Sequence, residues 1–156
     1  MSRRSPRSVL IIESRFYEDI ADELARGAID ELHGHNIEYE RIAVPGSLEI
    51  PLALSLALAN GFVGRAGRHR GCVALGCVIR GETSHYDIVA RESAAGLHAL
   101  AVEHVVPLGN GILTCDSREQ ALARASVKGH NKGGDAAQAC LALMQLEQRF
   151  SSASRR

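Results

Sequence analysis

Val73-Ala74-Leu75-Gly76-Cys77-Val78-Ile79, followed at once by Arg80-Gly81-Glu82-Thr83-Ser84-His85-Tyr86-Asp87, decides how the rest of the chain is read. An apolar run of this length that stops at a glycine predicts a strand buried on both faces. Asp87 opens an Ala-rich helical pattern, so the strand hands over to a helix through a polar turn. Such a turn presents backbone N–H groups beside Thr83, Ser84 and His85, where an anion can sit next to a proton donor.

Working outward, the same handover recurs. Val9-Leu10-Ile11-Ile12 suits a central parallel strand, and Tyr17 to Leu32 follows with Ile20, Leu24, Ala28 and Leu32 on one helical face. Ile37 to Val44 alternates like a second strand, Pro45-Gly46 breaks it, and Ile50 to Ala59 resumes as a helix that tolerates Pro51 in its first turn. Gly61 to Gly71, with Arg65, Arg68, His69 and Arg70, reads as a solvated polar loop before the third strand, Cys72 to Ile79. A helix from Asp87 to about Glu103 precedes a fourth strand, Val105 to Thr114. Asp116-Ser117-Arg118-Glu119 offers an N-cap with a returning acid for a helix ending near Ala125, and Asp135 to Arg149 forms the last helix after the turn at Gly129 to Gly134. The alternation predicts an α/β fold, a four-stranded parallel sheet between two helical layers, with ligands at the carboxyl ends of the strands. Ser14-Arg15-Phe16, Pro45-Gly46-Ser47-Leu48-Glu49 and Arg80 to Asp87 all fall there.

Composition narrows the function. At 156 residues and 46% apolar the chain suits one globular domain, residues 1–156, with 1–7 and 151–156 as flexible tails. Eighteen basic and eighteen acidic side chains cancel, leaving no overall field to gather nucleic acid or an anionic membrane, so any phosphate must be held locally. No apolar run approaches the ~20 residues of a membrane helix, and the Arg-rich start is too short for a secretory signal, which places the protein in the cytoplasm. Cys72, Cys77, Cys115 and Cys140 lie inside strand or helix patterns without a CxxC pair, so they read as buried, reduced thiols. Neither they nor His33, His35, His69, His98, His104 and His130 show metal-ligand spacing.

Five segments in order, Ser14-Arg15-Phe16, Val44 to Pro51, Gly76 to Asp87, Gly111-Ile112-Leu113-Thr114 and Asn131-Lys132-Gly133, together resemble the successive signatures of the lumazine synthase family across nearly the whole chain. The resemblance implies a flavodoxin-like fold and the condensation of 5-amino-6-ribitylaminouracil with 3,4-dihydroxy-2-butanone 4-phosphate. That reaction, the penultimate step of riboflavin biosynthesis, releases phosphate and water and uses no metal or redox cofactor. By the same analogy His85 shuttles protons and Arg124 grips the phosphate, with Glu82, Thr83, Ser84 and Lys132 around it. Phe16 then stacks on the pyrimidine, and Ser47, Leu48, Glu49, Cys77, Val78 and Ile79 hold the heterocycle and ribityl chain. A carboxylate repels phosphate, so Glu82 is expected to bind through its backbone N–H.

Two positions depart from the family pattern. Asn110 stands where many members place an aromatic that reaches into a neighbour's site, and Leu48 replaces a frequent phenylalanine. Asparagine can hydrogen-bond the ring edge but offers no stacking face. These departures keep a second reading open, a non-catalytic lumazine- or flavin-binding protein of the same fold. A phosphorylatable receiver is disfavoured because strand one ends in Glu13-Ser14-Arg15 and strand three in Arg80-Gly81-Glu82. Small residues such as Ala94-Ala95-Gly96 permit close helix approach, and the resemblance sharpens that to a homopentamer with sites between subunits. Pro6, which would interrupt strand pairing, favours an isolated ring over a sixty-subunit shell.

Overall fold

The computed structural model describes residues 7–155. Four strands form one parallel sheet: β1 (Ser8–Ser14), β2 (Glu38–Val44), β3 (Gly71–Ile79) and β4 (Leu108–Cys115). Their spatial order is β2-β1-β3-β4, with β1 central and β2 and β4 at the edges. The sequence places each strand accordingly. β1 and β3 are near-continuous apolar runs buried almost throughout, whereas β2 alternates exposed and half-buried residues as an edge strand should.

Five helices, α1 (Glu18–Gly34), α2 (Glu49–Ala59), α3 (His85–His104), α4 (Arg118–Ala125) and α5 (Lys132–Ala153), cover the two faces. Val9, Ile11, Val73 and Leu75 pack with Ile20, Leu24, Ala121 and Ala137, which puts α1, α4 and α5 on one face. Leu10, Ile12, Cys72 and Ala74 pack with Ile50, Leu54 and Leu97, which puts α2 and α3 on the other. The two interleaved sets follow from the two-residue period of a strand. Gly133 lets α5 lie against α1, since a Cβ there would collide with the Leu24 carbonyl. The three-layer α/β/α arrangement is the expected one.

Several boundaries move. α3 begins at His85, two residues before Asp87, so the histidine belongs to the first helical turn. Val105, expected to open the fourth strand, instead terminates α3 in the left-handed region at φ 54°. Its N–H bonds to the Ala101 carbonyl, and β4 starts three residues later. α4 is capped by Ser117, whose side chain accepts from the Gln120 N–H, while the Gln120 side chain accepts from the Asp116 N–H. The returning group is thus Gln120 and not Glu119. α5 starts at Lys132, behind an Asn131 cap at φ 48°, and runs through Ala153, so Ser151 to Ala153 are helical where a tail was expected. Residues 1–6, including Pro6, lie outside the described residues.

The loop of Gly61 to Arg70 is not merely solvated. His69 is buried, with Nδ1 2.7 Å from Ser8 Oγ and Nε2 3.0 Å from Glu40 Oε2, and its ring meets Phe62 edge-on. The histidine thereby ties the loop to the first residue of β1 and to β2.

Candidate active site

Parallel strands that end together create an edge lined by the loops that follow them. Ser14 pairs with Val44 at the ends of β1 and β2, and Ile79 pairs with Cys115 at the ends of β3 and β4. At this carboxyl edge the structure assembles most of the residues singled out from the sequence.

Phe16 leaves β1 and projects with 73% of its surface exposed, although its chain neighbour Tyr17 packs against the core. Ser47, by contrast, is buried, in the turn that enters α2. A Cβ on Gly76 would lie 2.8 Å from Ser47 Oγ, so only glycine lets this turn settle onto β3. Ser47 Oγ is a buried side-chain oxygen with no hydrogen-bond partner among the described residues. Leu48 and Glu49 are half-buried beside it, and the Glu49 carboxylate folds back over Gly46. Cys77, buried, and Ile79, half-buried, form an apolar floor toward the α1, α4 and α5 layer, while the buried Val78 faces the other way. Burial, helped by the nearby Cys115, pushes the Cys77 thiol up to about 12, so it remains protonated at neutral pH.

Beyond that floor Glu82, Thr83, Ser84 and His85 are all exposed. The His85 backbone N–H donates to Thr83 Oγ1 at 3.3 Å, tying the turn to the start of α3. Arg80 Nε donates to Asp116 Oδ1 at 3.0 Å, and the guanidinium lies 4.2 Å from the Tyr86 ring centre, so the loops after β3 and β4 are braced together. Arg124 comes from the opposite layer. It sits in the last turn of α4, its Nη1 donates to the Gln120 carbonyl at 3.1 Å, and it lies near enough to Cys115 to oppose the rise that burial gives that thiol. His85 and Arg124 therefore approach one edge from opposite faces of the sheet.

Asn110 is not brought there within one chain, and Lys132 is paired elsewhere. Asn110 pairs with Ala74 near the start of β4, about 16 Å along the strand from Cys115 at the rise of an extended chain. Its Oδ1 accepts from the Ile112 N–H at 3.0 Å. Lys132 Nζ lies 2.9 Å from Asp135 Oδ2 at the start of α5, in the outer α1–α5 layer. Two cavities, of about 570 and 620 Å³, lie at the other end of the sheet, beside Ile37 and Glu38 and beside Arg7 and Arg70. Among the described residues no three His, Cys, Asp or Glu side chains cluster as a metal site.

Sequence reasoning passed over the charges behind Phe16. Glu13, 2% exposed, receives Arg41 Nε at 2.8 Å, Arg41 Nη2 at 3.0 Å and Arg15 Nη1 at 2.6 Å. Burial alone would raise the Glu13 carboxyl, but the bonds and charges of Arg41 and Arg15 outweigh it and hold it below the ordinary range. The signal was an acid at the end of an otherwise apolar strand.

The sequence profile of the 6,7-dimethyl-8-ribityllumazine synthase family matches residues 6–148. The chain belongs to this family. Similar proteins of that name include one from Methylorubrum populi, 52% identical over 89% of this chain and 82% of the relative. Another, from Beijerinckia indica, is 50% identical over 90% and 76%. A protein of Rhizobium meliloti named 6,7-dimethyl-8-ribityllumazine synthase 1 is 48% identical over 97% and 99%. The lumazine synthase family match thus spans all five of the segments that carry the resemblance.

Proposed function

We propose that the protein condenses 5-amino-6-ribitylaminouracil with 3,4-dihydroxy-2-butanone 4-phosphate to 6,7-dimethyl-8-ribityllumazine, in the cytoplasm, as the penultimate step of riboflavin biosynthesis. The observation that carries this reading is the exposed His85 at the start of α3, after β3, in a chain whose residues 6–148 match the lumazine synthase family.

The chemistry asks mainly for orientation and proton movement. Phe16 offers a flat face for the pyrimidine, and the floor of Cys77 and Ile79 excludes water beneath it. The orphaned Ser47 hydroxyl and the Glu49 carboxylate suit a hydroxyl-rich ribityl chain, because a buried hydroxyl left unpaired costs about 1–3 kcal/mol that a ligand partner recovers. Arg124 supplies a planar, two-pronged grip on phosphate, with the backbone of Glu82, Thr83 and Ser84 alongside. An imidazole gives and takes protons near neutrality, so His85 serves the Schiff-base and elimination steps that release phosphate. Holding both reactants together contributes several orders of magnitude by itself.

The assembly proposed is a homopentamer with sites between subunits. Leu52 and Leu56 on α2 and Ile88 and Val102 on α3 are exposed, as are Ala94 and Ala95, giving those helices apolar surface to bury. Asn110, remote from the edge in its own chain, is then placed to serve a neighbour's.

Incubating the purified protein with both substrates tests the reading. Lumazine absorbance should grow with one phosphate released per product, from a particle that scatters light as five times the 16.7 kDa chain. Binding of the pyrimidine without product would identify the non-catalytic alternative instead.

A further inference from the structure

Phe16 is the exposed member of an otherwise anchored tripeptide. On its carboxyl side, Tyr17 packs against the core. Arg118 reaches over the Tyr17 ring, 6.0 Å from its centre, and pairs with Asp19 in the first turn of α1. On its amino side, Arg15 is only partly exposed, and its two terminal nitrogens go to different elements. Nη1 donates to Glu13 at 2.6 Å and Nη2 donates to Asp22 on α1. Glu13 is in turn held from β2 by the two-pronged Arg41 contact. The Phe16–Tyr17 rings meet edge-on, 5.0 Å between centres.

A large apolar side chain left 73% exposed gains little from folding, yet four charged side chains pair with one another beside it. A carboxylate in the core is expensive unless fully paired, and a mispaired one would loosen the strand end. Glu13 has no counterpart in the phosphate or proton chemistry. Its pairing ties the residues that precede Phe16 to β2 and, through Arg15, to α1.

We propose that Arg15, buttressed by Glu13, Arg41 and Asp22, is a positioning residue that sets the Phe16 ring for stacking on the pyrimidine substrate. The proposal rests on the synthase reading above. It makes affinity for the aromatic reactant, and not for the phosphorylated one, depend on an ion-pair network lying behind the ring.

Steady-state kinetics with each substrate varied in turn, on the assembled full-length protein, tests it. Arg15→Ala should raise KM for 5-amino-6-ribitylaminouracil about tenfold, leaving KM for the butanone phosphate within about twofold. Arg15→Lys, able to reach one carboxylate at a time, should recover part of the loss. Asp22→Ala, at an exposed site, should shift the same KM in the same direction by a smaller factor. An unchanged pyrimidine KM in an active Arg15→Ala enzyme overturns the proposal, and so does a parallel rise in both KM values, which marks general loosening. Unaltered protein that forms no lumazine defeats the synthase reading, and this inference falls with it.

Discussion

Arg124 illustrates how far a single residue can be read. On its helix it is an ordinary partly exposed cation, and nothing in the spacing of Arg118 to Ala125 marks it. Its place in the family pattern picks it out, and the fold sets it in the last turn of α4, the helix that follows the end of β4. Arg124→Ala should raise KM for the butanone phosphate roughly ten- to a hundredfold, the size of a lost charged hydrogen bond, with pyrimidine KM little changed, read from the same two-substrate kinetics. His85, Phe16 and the Ser47 turn were legible because their neighbours are motif residues at strand ends. Glu13 was not, because its meaning depends on Arg41, twenty-eight residues away in sequence and brought alongside only by strand pairing. His69 was misread for the same reason: its partners, Ser8 and Glu40, come from two other strands.

At the scale of elements, the strands and helices announced themselves by period, and the ends did not. Val105 shows why. Valine has high strand propensity, so a sequence reading runs it into β4, whereas the chain needs one left-handed residue to end α3. A β-branched side chain at φ 54° is strained, and Val105 is largely exposed, with no packing gain to offset it. Val105→Gly should therefore stabilise the protein by roughly 1 kcal/mol, seen as a rise in midpoint on denaturant unfolding, and a fall would mean that an interface covers the side chain. The early start of α5 has a similar origin. Gly133-Gly134 reads as a turn, yet both glycines are inside the helix, Gly133 where α1 passes too close for a side chain and Gly134 where a Cβ would collide with the Asn131 cap.

Across the whole molecule, the chain presents an edge and not a closed pocket. His85 and Phe16 are open to solvent, Arg124 approaches from the opposite layer, and Asn110 lies apart. An edge of this kind binds weakly until something closes it, and the exposed apolar faces of α2 and α3 are suited to bring a second subunit against it. In that arrangement the residues after β3 form the chemical half of the site. Replacing His85 tests this most directly. In single-turnover mixing with both substrates, His85→Ala should form lumazine at least about tenfold more slowly than the unaltered protein while binding the pyrimidine with the same affinity. Lumazine formed by His85→Ala at the unaltered rate would contradict the account.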